Sequence, residues 1–326
     1  MIEMTIEINL DLLKAFEEKL DPARPEDSPI PARVLGYGEI STVFEIHHES
    51  QADIAFKRMP LFDTQEQIDK YKDVYFRYHD RLKQIGIELP EYGATAVTTD
   101  DDRSVLYLYQ RKLPSESIGD KVIQTASEHE IKALIKTILH QLLKVWEFNA
   151  REKPSVEVAI DGQVSNWAVK DSASIMESLQ EGVDLVYLDT STPLFRENEV
   201  EQLDVELFLR PTPPGVRYIL KKFYLDDIVN RYYDFRKVII DLVANFFKEQ
   251  RPELVSVLIE VANDFLSSEA RALNIIPITY EEVEDYYKDD ASTWKLYLRM
   301  RRLHRFIRRK LLRRYYAYIL PGEIQR

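Results

Sequence analysis

Apolar positions recur at helical spacing at the start of the chain, change to strand-like runs through the first third, and return to helical spacing for most of the rest. Residues 8–20 predict a short amphipathic helix, stopped by Pro22 and Pro25. Residues 24–31 are a proline-rich connector. Residues 34–46 and 53–59 then read as β-strands joined by a polar turn. Residues 64–84 predict a helix with Ile68, Tyr71, Tyr75, Tyr78 and Leu82 on one side. Two further strand-like runs follow at 93–98 and 105–109. After Leu113 and Pro114 the pattern becomes helical, strongest at 128–149, where Ile131, Leu134, Ile135, Ile138, Leu142, Leu143 and Trp146 share a face. Short apolar runs occupy 156–160 and 183–188, and beyond the proline cluster at 211–214 helices are expected at 216–248, 252–267, 280–289 and 293–318. The expected organisation is α+β. Residues 1–31 would form a helix and connector, 32–113 a small β-rich lobe with one helix, and 114–326 a larger, mainly helical lobe.

Composition narrows the picture. A chain of 326 residues is long enough for two cores, since single cores stop growing at roughly 250–300 residues. The absence of cysteine excludes disulfides and thiolate metal sites. With 45% hydrophobic and 31% charged residues the chain is neither a disordered tail nor a membrane bundle. Its 56 acidic and 44 basic side chains give a net charge of −12, which argues against a protein coated in positive charge for nucleic acid. The acidic N-terminus shows no targeting segment. The most apolar helical stretch, 238–247, is interrupted by Asp241 and falls short of the about 20 residues a membrane span needs. A soluble, cytoplasmic protein is expected.

Four motifs carry candidate chemistry. Gly36, Gly38, Ser41 and Val43 lie between two strand-like runs, where glycine lets the backbone approach phosphates closely. Alone, such a pair is an ordinary turn. Lys57 ends the apolar strand 54–57, where its ammonium would lie under the glycine turn; alone it reads as an edge-strand lysine that discourages aggregation. Asp161 and Asn166 belong to the run DGQVSN, and Asp189 closes the apolar run 185–188. Oxygen donors at such positions suit a hard cation such as Mg²⁺, although Asp-Gly is also a common turn and Asp189 could cap a helix.

In this order the motifs resemble those of the protein-kinase-like fold, and their compact spacing is most similar to the aminoglycoside and choline phosphotransferase branch. The resemblance covers about residues 30–250. It implies a two-lobed fold with a nucleotide cleft. Gly36, Gly38, Ser41 and Val43 would cover ATP, Lys57 would hold its phosphates, and Tyr109, Gln110 and Arg111 would form the hinge that pairs with adenine. Asp161 would serve the acceptor hydroxyl, and Asn166 and Asp189 would hold Mg²⁺. The acidic partner of Lys57 would be Glu66, Asp69 or Asp73, with Asp73 nearest to the family's spacing. Departures are plain: Ser41 replaces the third glycine, Ala159 stands where the family has His, Gln163 replaces a basic residue, and Asp189 is followed by Thr190 and Ser191 instead of Phe-Gly. The segment 170–184 is an insertion, a loop or a small helix.

The implied function is Mg²⁺- and ATP-dependent phosphotransfer to a hydroxyl of a small molecule. The departures keep a second reading open, a pseudokinase that binds nucleotide or scaffolds a partner without turnover. A third is an interaction protein acting through the C-terminal basic helix. Residues 293–319 hold ten Lys and Arg and no acid, so the rest of the chain carries −12 − 10 = −22. Leu296, Leu298, Leu303, Phe306, Ile307, Leu311, Leu312 and Tyr315 give this helix an apolar side. It could meet a membrane surface, a nucleic acid or a docking partner. Packing on the acidic body, with its arginines paired there, is the expectation. The acceptor itself is not legible.

Overall fold

The computed structural model describes residues 6–38, 40–170, 183–213, 217–218 and 229–322. The fold is α+β and two-lobed. Helix α1 (Leu10–Lys19) starts at Asn9, whose side chain accepts the Leu12 N–H, and its last turn carries Lys19, in the favourable sense for the helix dipole. The small lobe is an antiparallel sheet of β1 (Ala32–Tyr37), β2 (Thr42–Ile46), β3 (Ile54–Met59), β4 (Tyr92–Thr98) and β5 (Ser104–Arg111), in the spatial order β1-β2-β3-β5-β4. Helix α2 (Gln65–Ile85) connects β3 to β4. It is capped by the Thr64 side chain and ended by Gly86 at φ +87°, a left-handed position that favours glycine.

The large lobe begins with α3 (Gly119–Thr125) and α4 (Glu128–Glu152), the latter opened by a reciprocal capping box between Ser127 and Glu130. Short strands follow. The pair β6 (Val156–Val158) and β9 (Phe195–Glu197) carries β10 (Val200–Glu201) at its edge, and β7 (Trp167–Val169) pairs with β8 (Leu185–Tyr187). Helices α5 (Phe235–Lys248), α6 (Val255–Ser268) and α7 (Tyr280–Phe306) complete it, and α7 runs into a π-turn at Ile307–Leu311.

Most expected elements are recovered in order, but residues 34–46 form two strands, β1 and β2, around the glycine turn, the helix expected at 216–248 is interrupted at Asp234, which caps α5, and the end of the chain differs as well. The separate helices expected at 280–289 and 293–318 are one helix, α7, because no proline or glycine interrupts the stretch. The helix stops at Phe306, and Arg313 turns the chain at φ +50°. Past the π-turn at Ile307–Leu311, residues 313–318 of the expected basic helix are a tail without regular secondary structure. The insertion at 170–184 lies outside the described residues over 171–182, as do residues 216 and 219–228 of the helix expected at 216–248.

Two cores hold the molecule. The larger runs from α2 through α4 to α5 and α6, including Ile68, Tyr78, Leu134, Leu142, Leu242 and Leu258. The smaller lies on the outer face of the sheet, where Leu13 and Phe16 of α1 meet Phe44, Phe56, Tyr107 and, from the tail, Ile319. At its centre the buried Glu17 carboxylate accepts Arg58 Nε at 2.6 Å, Arg58 Nη2 at 2.7 Å and the Tyr107 hydroxyl at 2.6 Å. Arg58 Nη1 also donates to the Ala317 carbonyl at 2.6 Å. A buried ion pair is tolerated only when such extra hydrogen bonds satisfy both partners. The first helix and the tail at Ala317 are thus both tied to β3, the strand that carries Lys57.

Candidate active site

Lys57 sits on β3 opposite Val43 of β2 and Leu108 of β5. Its ammonium crosses to the large lobe and donates to Asp189 at 2.7 Å and to the Ser191 hydroxyl at 2.7 Å. The Ser191 hydroxyl and backbone N–H also donate to Asp189, at 2.7 and 3.1 Å. Burial of the Asp189 carboxyl would push its pKa up. The Lys57 charge and hydrogen bond, together with those from Ser191, outweigh burial and hold it below the ordinary carboxylate value.

Asp161 lies in the same cavity, on the turn after β6. Burial first, and the Asp241 carboxylate next, push its pKa up to about 7, against a hydrogen bond from the Gln163 N–H. Asp241, on α5, is raised by burial as well. Asp161, whose protonated form is favoured, thus faces Asp189, held ionised by lysine. Asn166 lies in the one-turn helix after Asp161, and its amide donates to the Asp161 carbonyl at 3.5 Å. Gln163 bridges across the cavity floor, donating to Asp241 at 3.4 Å and accepting from Lys248 at 3.3 Å.

Neighbouring side chains hold the segment before Asp161. The Tyr78 hydroxyl donates to the Ala159 carbonyl at 2.8 Å, and Asn149 clamps Val158 with two hydrogen bonds of 2.8 Å.

The cavity between the lobes has a volume of about 300 Å³. Its walls include Gly38 and Ser41 from the glycine turn, Asp161, Asn166 and Asp189 from the large lobe, and Trp294 from α7. The glycine turn closes with the Gly38 N–H donating to the Ser41 carbonyl at 3.0 Å, and a Cβ on Gly38 would lie 2.7 Å from the Ser41 hydroxyl oxygen. Gly38, Ser41, Lys57, Asp161, Asn166 and Asp189 are therefore brought together. Gly36 and Val43 pair with each other one step back on β1 and β2.

Two sets of predicted residues are not brought there. Asp73 is exposed on α2 and pairs with Arg77 at 3.3 Å. Glu66 is likewise exposed, and Asp69 accepts from Gln65 on the same helix surface. The α2 side that faces Asp189 presents tyrosines instead. The Tyr71 hydroxyl donates to the Ser191 carbonyl at 2.7 Å, and Tyr75 hydrogen-bonds the Thr190 side chain. Tyr109, Gln110 and Arg111 are not a free hinge. They belong to β5, which lies between β3 and β4, so Gln110 is paired with Ala55 on one side and Tyr92 on the other. Arg111 is held by Glu91 and Asp53. The chain leaves the sheet only after Arg111.

Residues that sequence reasoning missed include Lys248, Arg231 and the α7 side chains Trp294, Tyr297 and Met300, all lining the cavity. The signal for the last three is their i, i+3, i+6 spacing along α7.

Residues 23–305 match a family described as of unknown function, DUF6206. The chain belongs to that family. No curated protein matches the sequence. Solved structures similar to it include a Stt7 homolog from Micromonas algae soaked with ATP, at 14% identity and a TM-score of 0.39, covering 74% of this chain and 79% of that one. WaaP in complex with acyl carrier protein is 13% identical at a TM-score of 0.34, over 80% of this chain and 89% of that one. A mutant aminoglycoside 2'-phosphotransferase in its GDP complex is 11% identical at a TM-score of 0.34, over 83% and 95%. The fold of this family member is protein-kinase-like. Its sheet order β1-β2-β3-β5-β4 ahead of a helical lobe, and the meeting of Lys57 with Asp189, carry that likeness.

Proposed function

We propose that the chain is a phosphotransferase that uses a Mg²⁺-bound nucleoside triphosphate, ATP, to phosphorylate a hydroxyl of a small molecule. The observation that carries the reading is the 2.7 Å contact of Lys57 with Asp189, in a cavity that Asp161 and Asn166 also line. The donor set fits the cation. Asp189 and the Asn166 carboxamide supply hard oxygen ligands, and Mg²⁺ is ordinarily held by one or two such groups plus substrate phosphates. Bound there, the ion would neutralise charge on the transferred phosphoryl group.

The other steps fall to this chain's residues. Lys57 turns from Asp189 to the phosphates, and the glycine turn at Gly38–Ser41 covers them. Asp161 accepts the proton of the acceptor hydroxyl as its oxygen bonds to the γ-phosphorus and the bond from that phosphorus to the bridging oxygen breaks, leaving the nucleoside diphosphate. A carboxyl with a raised pKa suits a base working near neutrality. Because it must be ionised to act, the rate is expected to rise with pH above the ordinary carboxylate range.

Thermal unfolding with Mg-ATP tests the reading. Stabilisation is expected in the native chain and not in Lys57→Met or Asp189→Asn. No stabilisation at millimolar nucleotide refutes it. The pseudokinase reading is favoured by one observation, that no α2 carboxylate reaches Lys57. It predicts stabilisation with no Asp161-dependent ATP consumption.

A further inference from the structure

The basic end of the chain does two things. One side of α7 packs inward through Trp294, Leu298, Arg301 and His304, and the tail buries Tyr316, Ile319 and Leu320. The other side is left open. Leu303 is 53% exposed, Phe306 55%, Leu311 66% and Leu312 54%, and Leu296 at 55% continues the stripe to the cleft mouth, where it also lines the cavity. Large apolar side chains this exposed and this close together along one segment are unlike the scattered singles of an ordinary surface.

The same surface carries cations. The expected pairing with the acidic body is met by Arg309 and Asp21 at 3.6 Å. Among the described residues Arg299, Arg305, Lys310, Arg313 and Arg314 pair with no carboxylate. Arg302 donates to the Gly322 carbonyl at 2.9 Å, which fixes the tail alongside the helix and leaves its charge uncompensated.

We infer that this face, from Leu296 through the π-turn to Arg314, docks on an anionic lipid surface. Two independent features choose that occupant. Unpaired cations with no acid among them complement anionic headgroups, and the interleaved Leu303, Phe306, Leu311 and Leu312 supply side chains that enter the headgroup–acyl boundary. A nucleic acid would use the cations and leave the leucines and the phenylalanine in water. The −22 of the remaining chain does not cancel the attraction, because charges beyond about 8 Å are screened at physiological ionic strength. No helix among the described residues is long and apolar enough to cross a membrane, so the contact is peripheral. Leu296 places the cleft mouth beside the lipid.

The test is flotation of the purified chain with vesicles of phosphatidylcholine alone or mixed with phosphatidylserine. Binding is expected only with phosphatidylserine, and is expected to fall steeply in high salt. Each neutralised cation should weaken it about fivefold, so the triple variant Arg299→Gln, Lys310→Gln, Arg314→Gln should lose about a hundredfold. The triple variant Leu303→Ser, Phe306→Ser, Leu311→Ser should lose binding while keeping the native melting temperature, because these side chains are exposed. Equal binding to both vesicles, no binding, or binding untouched by the apolar variant overturns the inference. So does a chain that binds polynucleotide and not vesicles.

Discussion

The charge balance of the cleft can be measured without knowing the acceptor. Asp161 has an ordinary value near 3.8 when free and is pushed up to about 7 in the folded chain, by burial and then by Asp241. The sign follows from proton binding. Between these two values the folded state holds a proton that the unfolded chain releases, so the stability associated with Asp161 is full at low pH and declines as pH rises through the window. A rise of about three units corresponds to about 4 kcal/mol at full burial. Water in the open cleft cuts this to about 1–3 kcal/mol. Asp161→Asn removes the charge and keeps an oxygen for the Gln163 N–H, which now donates to the carboxylate at 3.0 Å. At pH 8 the variant should therefore be more stable than the native chain, melting about 2–6 °C higher at about 2 °C per kcal/mol for a chain of this size. Below pH 4 the two melting curves should converge. The assay is differential scanning fluorimetry of both proteins across this range. A variant that is less stable at pH 8, or a difference that does not depend on pH, refutes the electrostatic account of the site.

Other outcomes follow from the same structure. Glu17→Gln leaves Arg58 buried without a full counter-charge, and should cost about 3–5 kcal/mol in chemical denaturation. His79 is buried with its ring held by the Tyr75 carbonyl, and its pKa is lowered by burial from 6.5 to about 4. The folded state thus binds fewer protons than the unfolded one, so stability is lost as pH falls below 6.5. His79→Gln should flatten that loss when melting is followed between pH 6.5 and 4. Mg²⁺ and ATP together should stabilise the chain by more than the sum of either alone, in melting curves with each and with both, because each ligand frees the group the other needs.

The sheet, α2, α4 and the order of the four motifs were legible because strand runs, helical spacing and glycine turns leave marks at short range. The meeting of Lys57 and Asp189 was legible only through the order of motifs, since 132 positions separate them. What escaped was set by tertiary context. A strand-end run such as 109–111 reads the same whether it is a hinge or a strand in the middle of the sheet, and only the pairing of Gln110 with both Ala55 and Tyr92 decides it. Asp73 had a plausible spacing, but one helical turn decides whether a side chain faces the cleft or water, and the buried stripe of Tyr71, Tyr75 and Tyr78 fixes the turn against it. Of the basic helix, the inward side through Trp294, Leu298, Arg301 and His304 follows from its apolar spacing, whereas its expected extent to 318 and the pairing of its arginines with the body do not. Its charges could not be assigned from composition, because a net −22 elsewhere does not say which arginine meets which carboxylate.

The tyrosines of α2 give the cleft its character. The helix side that would carry an acid for Lys57 instead places the Tyr71 and Tyr75 hydroxyls on Ser191 and Thr190. These bonds hold the segment after Asp189 against the small lobe, and Lys57, lacking a partner on α2, takes Asp189 itself. The lysine and the carboxylate thus neutralise each other across the two lobes. A cation can bind Asp189 well only when the lysine leaves, and the lysine can leave only for another anion. Under the proposed reading a nucleotide with its Mg²⁺ satisfies both needs at once: phosphate replaces carboxylate at Lys57 while the metal replaces ammonium at Asp189. The exchange keeps the sign of charge at each position, cation beside Asp189 and anion beside Lys57, so on this reading the site favours the complete metal–nucleotide pair over either component.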